Sequence, residues 1–297
     1  MGLAALTAIG WGQITTSSVV KPITETIIPP YDSSKVFLEY EPISYTGQLL
    51  YLPGKHETLR QYGYRDFLID YTKSNFDDKN KYRKGDYNSL AGCYFKVIEV
   101  ISPQGKYSNS FLKLEELKTH EICYFKYDPK FRHSFPFIPI AYFNFIKNKY
   151  MGEILVTRGK NWFNGTSEPM ADMNTGFPVE FTAGTLWRVV DVSIEEKYYN
   201  LSLILENDKC ERIPFSSFEN LPYSSLALLY SDIKPYEGTE EYQMIINGKV
   251  KVGFSEKMAL LSWGEPKKIN RSSHGKDQWV YGDQYLYFEG GKMTSWN

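Results

Sequence analysis

The sequence has few cysteines and few histidines, and each scarcity excludes a class of protein. Cys93, Cys123 and Cys210 are too few for a disulfide scaffold and show no C-x-x-C spacing. Three thiols allow at most one intramolecular bridge, and we expect three small buried side chains instead. The 4 histidines are scattered, with no second ligand-type residue at metal spacing. We therefore expect no metal site and no cofactor.

The chain also lacks an excess of charge and, beyond its N-terminus, a long apolar run. Its 34 basic and 35 acidic residues give a formal net charge of -1, which provides no global field toward nucleic acid. No segment after the N-terminus approaches the roughly 20 apolar residues of a membrane span. We expect neither a nucleic-acid partner nor a membrane span.

Sequence motifs of catalysis are missing as well. The chain contains no G-x-S-x-G and no H-E-x-x-H. Glu99 and Asp191 occupy corresponding positions, but a cation three residues earlier accompanies each, at Lys96 and Arg188. This pattern indicates a structural role at a strand. We expect no catalytic residues, although a site assembled between distant segments stays open.

Aromatic residues are abundant, at 16% of the chain with 24 Tyr and 18 Phe. Such side chains suit pleated, half-buried surfaces, so the composition favours β structure. Residues 1–12 form an apolar run that ends in small residues, which is typical of a signal peptide, and residues 13–40 form an N-terminal extension. A buried N-terminal strand or helix is the alternative. The apolar run lacks the basic n-region of a signal peptide, which leaves open whether Met1 is the true start. The run is followed by no cysteine, so we expect a periplasmic or secreted protein without a lipid anchor.

An internal duplication occupies the middle of the chain. The pattern Y-x-G-[QE]-[LI]-L-x-x-x-G-K occurs at residues 45–55 and 150–160. Residues 91–100 then align with 183–192, and residues 106–115 align with 197–206. Three blocks in one order predict two copies of one unit. We place repeat 1 at 41–128, an aromatic and proline-rich connector at 129–144, and repeat 2 at 145–222.

Each copy has the strand signals of a small antiparallel barrel. The first block predicts a strand closed by a Gly-Lys turn, the second and third predict a hairpin, and a further strand follows at 121–127 or 211–215. Strict alternation in the second block would place Phe95, Val97 and Glu99 on one face. In strand number and loop placement the unit resembles bacterial SH3-like domains.

Two long loops separate the first and second blocks of the copies. Residues 70–86 are highly charged, without the alternating order of a calcium loop. Residues 161–177 contain Trp162, Phe163 and Phe177 among glycine and asparagine. Exposed aromatics on a loop are typical of a contact surface for protein, with glycan as a second candidate ligand. These three residues are the predicted contact surface, and the alternative is that they cap the barrel.

A linker at 223–241 precedes a compact C-terminal segment at 242–297. Ser255 is a candidate N-cap for a helix that ends before Gly264. Two alternating runs joined by Gly282-Asp283 predict a hairpin, and a last strand is predicted at 292–296.

The order G-F-S-x-x-M-x-x-x-x-W-G-x-P, then Q-W-V-Y, then Y-L-Y-F-x-x-G-K, resembles the SmpA/OmlA (BamE-like) envelope domain over residues 244–297. The resemblance implies a small α+β module, two helices on an antiparallel sheet, used for protein contact. Lipidation is common among family members in outer-membrane assembly, and this chain has no acceptor cysteine, so we do not expect that role. Secreted inhibitors of β-lactamase share the layout.

Taken together, these patterns predict a mainly β chain with a small α+β C-terminal domain. Two tandem SH3-like antiparallel barrels are followed by a BamE-like helix-helix-sheet module. We expect an exported, non-catalytic envelope protein that acts as a protein-binding or scaffolding module. Its partners would be envelope proteins. The alternative is an inhibitor or regulator of an envelope hydrolase, acting through the C-terminal module.

Overall fold

The chain folds into three antiparallel sheets connected by short helices. The computed structural model describes residues 28–39, 42–73, 76–102, 109–158, 170–179, 182–195, 200–224, 226–272 and 275–297. The predicted signal peptide at 1–12 lies outside the described residues. Sheets dominate the described part, which confirms the prediction of a mainly β chain.

Repeat 1 builds a six-stranded sheet in the order β2-β5-β4-β3-β1-β6. Its strands are β1 (Leu49–Tyr51), β2 (Phe67–Leu68), β3 (Tyr94–Ile101), β4 (Ser110–Glu116), β5 (Ile122–Tyr127) and β6 (Ile138–Pro139). Two short helices lie in its connections, α1 (Glu57–Arg60) and α2 (Tyr87–Leu90). Aromatic side chains fill the core beneath the sheet, with Phe67, Phe125 and Phe137 in mutual edge contact.

Repeat 2 builds a five-stranded sheet in the order β10-β9-β8-β7-β11. Helix α3 (Ile140–Tyr150) leads into β7 (Ile154–Thr157), β8 (Leu186–Glu195), β9 (Asn200–Glu206), β10 (Arg212–Phe215) and β11 (Ala227–Leu229). In both copies the last strand pairs with the first, β6 with β1 and β11 with β7. The two sheets therefore share one order apart from the extra β2.

Backbone hydrogen bonds repeat between the two copies. The amide of Gly47 donates to the carbonyl of Val97 at 2.8 Å, and the amide of Gly152 donates to that of Val189 at 2.9 Å. Both glycines have a positive φ, +83° and +81°, a conformation that side chains disfavour. The turn before the first strand thus has one geometry in both repeats, which explains the shared Y-x-G pattern.

A β-bulge sits at the same place in both hairpins. The register shifts between Val97 and Glu99 in β3, and between Val189 and Asp191 in β8. The extra residue reverses the alternation, so that Val100 is buried and Glu99 is exposed. The expectation that Glu99 shares a face with Phe95 and Val97 is therefore wrong.

Neither repeat closes into a barrel within the described residues, because the terminal strands of each sheet do not pair with one another. The segments expected to connect the units also contribute strands. Strand β6 lies within residues 129–144, and β11 lies within residues 223–241.

The C-terminal segment forms helices packed on a four-stranded sheet in the order β12-β13-β14-β15. Its elements are α4 (Tyr230–Ile233), α5 (Glu240–Ile246), α6 (Glu256–Trp263), β12 (Lys268–Asn270), β13 (Lys276–Tyr281), β14 (Gln284–Glu289) and β15 (Lys292–Trp296). The Ser255 hydroxyl accepts a hydrogen bond from the amide of Met258 at 3.2 Å and caps α6. The predicted helix, hairpin and last strand are confirmed.

The three units pack in series. Helix α3 lies against β1 and β6, so that Ile138 of repeat 1 joins the core of repeat 2. Helix α4 lies against β7 and β11 in the same manner, and Val156 and Leu228 join the core of the C-terminal unit with Phe254. Each repeat therefore contributes a residue of its last strand to the core of the next unit, Ile138 from β6 and Leu228 from β11.

Candidate functional site

Only one member of the predicted contact surface lies in the described part of the chain. Trp162 and Phe163 lie outside the described residues. Phe177 is 72% exposed, and Met173 beside it is 55% exposed. Two large apolar side chains therefore project into solvent from one short turn, which we call the Phe177 turn (residues 172–177).

The Phe177 turn is held by the carboxylate of Asp172. Its Oδ2 accepts hydrogen bonds from the amide of Thr175 at 2.9 Å and from the Thr175 hydroxyl at 2.7 Å. Its Oδ1 accepts from the amide of Arg212 on β10 at 2.7 Å. The amide of Asp172 donates in turn to the carbonyl of Phe177 at 2.8 Å. The turn is closed on itself and fastened to the edge of the second sheet.

The electrostatics of the Asp172 carboxyl follow from these bonds. The hydrogen bond from the Arg212 amide, followed by those from Thr175, lowers the pKa of Asp172 below its ordinary value. The carboxylate is therefore ionised at neutral pH and the turn is fixed. A local signal for it exists in the sequence, since Asp followed three residues later by Thr and then Gly is typical of a side-chain-capped turn. Our sequence prediction selected the aromatics and missed Asp172 and Met173.

A cleft where the N-terminal extension meets α3 and the end of repeat 2 is a place where a catalytic site could assemble. A cavity of about 370 Å³ is lined by apolar side chains that include Phe37 and Ile146, and by charged groups at Lys35, Arg132 and Glu219. Ligand pockets favour such junctions between units. The titratable side chains of this cavity are therefore candidates for a site assembled from distant segments.

Three of the polar groups of the cleft contact one another. Arg132 Nη2 lies 3.8 Å from Glu219 Oε1, and the Tyr142 hydroxyl donates to the same oxygen at 3.2 Å. Burial and then the neighbouring Glu219 raise the pKa of Tyr142, so its hydroxyl stays protonated. One oxygen of the Glu219 carboxylate therefore joins Arg132 of the connector and Tyr142 of α3 to the end of repeat 2.

The cysteines do not form a reactive group. All three thiols are free; Cys123 is buried, Cys93 is half-buried and Cys210 is exposed. Burial raises the pKa of Cys93 and of Cys123, which disfavours the nucleophilic thiolate. The expectation that all three are buried is wrong for Cys210, which occupies a turn with φ of +61°.

Within the described ranges, no group of three or more His, Cys, Asp or Glu side chains is placed to hold a metal ion. Among the helices described, none has the length and apolar character needed to cross a bilayer. Comparison with protein-family models, with curated proteins and with solved structures found no match to this chain.

Proposed function

We propose that this chain is an exported, non-catalytic envelope protein that binds another protein through the Phe177 turn. The observation that carries the proposal is the side chain of Phe177, which is 72% exposed on a turn held in place by the Asp172 carboxylate. Aromatic residues dominate the energetics of protein interfaces. A turn that is already ordered also loses little entropy on binding.

The serial arrangement supports a scaffolding role. We interpret the repeats as SH3-like units, because the order β5-β4-β3-β1-β6 returns the last strand beside the first. We interpret the C-terminal unit as BamE-like, since two helices pack on an antiparallel sheet in the expected chain order. Units that bury their junctions and leave their loops exposed present binding surfaces at a defined spacing.

One observation favours the alternative, an inhibitor or regulator of an envelope hydrolase. On one face of the C-terminal sheet, Asn270 Nδ2 donates to Gln278 Oε1 at 2.8 Å, and Gln278 Nε2 donates to the Tyr287 hydroxyl at 3.1 Å. This ladder fixes three polar side chains across three strands. A preordered polar and aromatic face suits docking on an enzyme surface.

Matched variants test the proposal. The chain is used to capture partners from a bacterial envelope extract, and Phe177→Ala is compared with Phe76→Ala, which removes a ring that is 89% exposed in repeat 1. We expect at least a tenfold loss of one captured protein with Phe177→Ala and none with Phe76→Ala. Equal capture by both variants would contradict the proposal.

The same assay separates the alternative. Loss of a captured hydrolase with Tyr287→Ala, together with unchanged capture by Phe177→Ala, would favour the inhibitor. Export is tested separately by expressing the full chain in a Gram-negative host and measuring its distribution between periplasmic and cytoplasmic fractions. Retention in the cytoplasm would contradict the exported role.

A further inference from the structure

A second concave surface lies in repeat 1 and is separate from the Phe177 turn. Two cavities, of about 410 and 620 Å³, share Tyr62 in their walls. The Tyr62 side chain is 62% exposed and forms the ridge between them. The cavity of about 410 Å³ is also lined by Lys55, Arg65 and Asp66. We call this smaller cavity with its ridge the Tyr62 cleft.

The ammonium of Lys55 is positioned by neutral groups. It donates to the carbonyl of Gly63 and lies 4.8 Å from the centre of the Tyr64 ring. A carbonyl dipole and a ring face orient a cation without cancelling its charge.

Another cation of the same repeat, Arg83, is neutralised by carboxylates. Arg83 lies 3.2 Å from a carboxylate oxygen of Glu116 and 2.7 Å from one of Glu121. Of the carboxylates that the structure describes, none pairs with Lys55 or Arg65 within 4.0 Å. The Tyr62 cleft therefore holds two cations, Lys55 and Arg65, against one carboxyl group, that of Asp66.

Two of the lining groups have shifted pKa values, mainly because they are partly buried. Burial, and then the neighbouring charge of Arg65, lower the pKa of Lys55. Burial also raises the pKa of Asp66, although Lys126 and Arg65 act against the rise. An anion placed between Lys55 and Arg65 would relieve their repulsion, and the Asp66 carboxyl would be available to a ligand hydroxyl.

We propose that the Tyr62 cleft binds an acidic sugar residue. Its carboxylate lies between Lys55 and Arg65, its ring packs on the exposed face of Tyr62, and a hydroxyl bonds to Asp66. The volume accepts one hexuronate ring, and pockets for small ligands combine such an apolar wall with a few convergent polar groups. A bare oxyanion would use the two cations and leave Tyr62 and Asp66 without a role.

The test is a titration of the full chain with glucuronate, followed by NMR or calorimetry, with glucose, acetate and inorganic sulfate as comparison probes. Glucuronate should bind at least about tenfold more tightly than each of the three. Arg65→Gln, which changes an exposed side chain, should weaken glucuronate binding about tenfold through loss of a charge-assisted hydrogen bond. Tyr62→Ala should weaken it as well.

Lys96→Gln is the matched control, because Lys96 is an exposed cation on β3 outside this cleft, and it should bind glucuronate like the parent chain. Absence of glucuronate binding overturns the proposal. So does sulfate or acetate binding as tightly as glucuronate, which would make the cleft a simple anion site. An equal loss in Lys96→Gln and Arg65→Gln also overturns it. Phe177→Ala should leave glucuronate binding unchanged, so this result and the protein-binding result can fail independently.

Discussion

Arg158 should hold the C-terminal unit onto repeat 2, and replacing it by methionine tests that role. Its side chain is 7% exposed and donates to the carbonyls of Ser224 at 3.1 Å, Leu261 at 3.0 Å and Ser262. The last two carbonyls belong to the final turn of α6, where a cation is favourable. Burial lowers the pKa of the guanidinium to about 10, which keeps it charged at neutral pH.

The magnitude follows from these three bonds. A hydrogen bond from a charged donor contributes about 1.5–3 kcal/mol, so three contribute roughly 5–9 kcal/mol. Against this stands the desolvation of the guanidinium, several kcal/mol. Methionine keeps the apolar stem, removes that desolvation and leaves three carbonyls to find water. We expect Arg158→Met to weaken docking of the C-terminal unit by about 2–4 kcal/mol.

Hydrogen exchange measured by mass spectrometry detects this loss of docking free energy in individual peptides. A loss of 2–4 kcal/mol corresponds to roughly 30- to 1000-fold faster exchange in peptides covering α6, while peptides covering β8 should change far less. Arg188→Met is the control, because it removes an exposed arginine from β8. Unchanged protection of α6 in Arg158→Met would refute the reasoning, since the three bonds would then contribute nothing to docking.

Three further experiments test the conformations and burial described above. Gly63 has φ of +53°, and a Cβ there would overlap the backbone carbonyl of Gly85. Gly63→Ala should therefore lower the free energy of unfolding, measured in urea, by more than about 3 kcal/mol. Gly47→Ala is the control and should lower it by about 1–2 kcal/mol, because the space around Gly47 is open. A thiol reagent should modify Cys210 rapidly and Cys123 only on unfolding, and three fast thiols would contradict the burial. The pKa of Asp172 is lowered in the folded chain, so the stabilisation by its carboxylate is present above the ordinary value of 3.8 and is lost as pH falls through the lowered pKa. NMR signals of the Phe177 turn that stay unchanged well below pH 3.8 would contradict the role of Asp172 in holding the turn.

Local patterns predicted those elements whose signals are contained in a few neighbouring residues. The apolar runs of the first block form β1 and β7 in the structure. The Gly282-Asp283 connection joins the strands of a hairpin in which Tyr281 pairs with Gln284. The bulge at Val97 was not predictable in this way. It depends on which residue of β4 pairs with each residue of β3, and strict alternation carries no information about that register.

Strands β6 and β11 escaped prediction for a related reason. Each is 2 or 3 residues long and pairs with a strand distant in sequence. Pro139 in β6 also argues against a strand, and it is tolerated because β6 lies at the sheet edge. Segments that looked like connectors therefore complete both sheets.

The candidate sites were likewise predictable from the sequence only in part. An aromatic in a loop indicated Phe177, yet its anchoring required the amide of Arg212, 40 residues from Asp172. The Tyr62 cleft brings Lys55 beside Arg65 through tertiary folding of the α1 segment, and the spacing of these residues predicts no contact. Charge clusters assembled by loops are thus beyond what periodicity can show.

The two copies differ where each meets its following unit. Beyond the first strand, aligned positions hold Pro53 in repeat 1 and Arg158 in repeat 2. The adjoining backbone bonds are alike: the amide of Leu52 donates to the carbonyl of Cys93 at 3.0 Å, and the amide of Thr157 donates to that of Thr185 at 3.0 Å. Repeat 1 is followed by α3, which packs on it through apolar contacts. Repeat 2 meets the end of α6, where the carbonyls of Leu261 and Ser262 accept hydrogen bonds from Arg158, which also donates to Ser224. One backbone thus serves two junctions, because the side chain at this position is matched to the unit that follows.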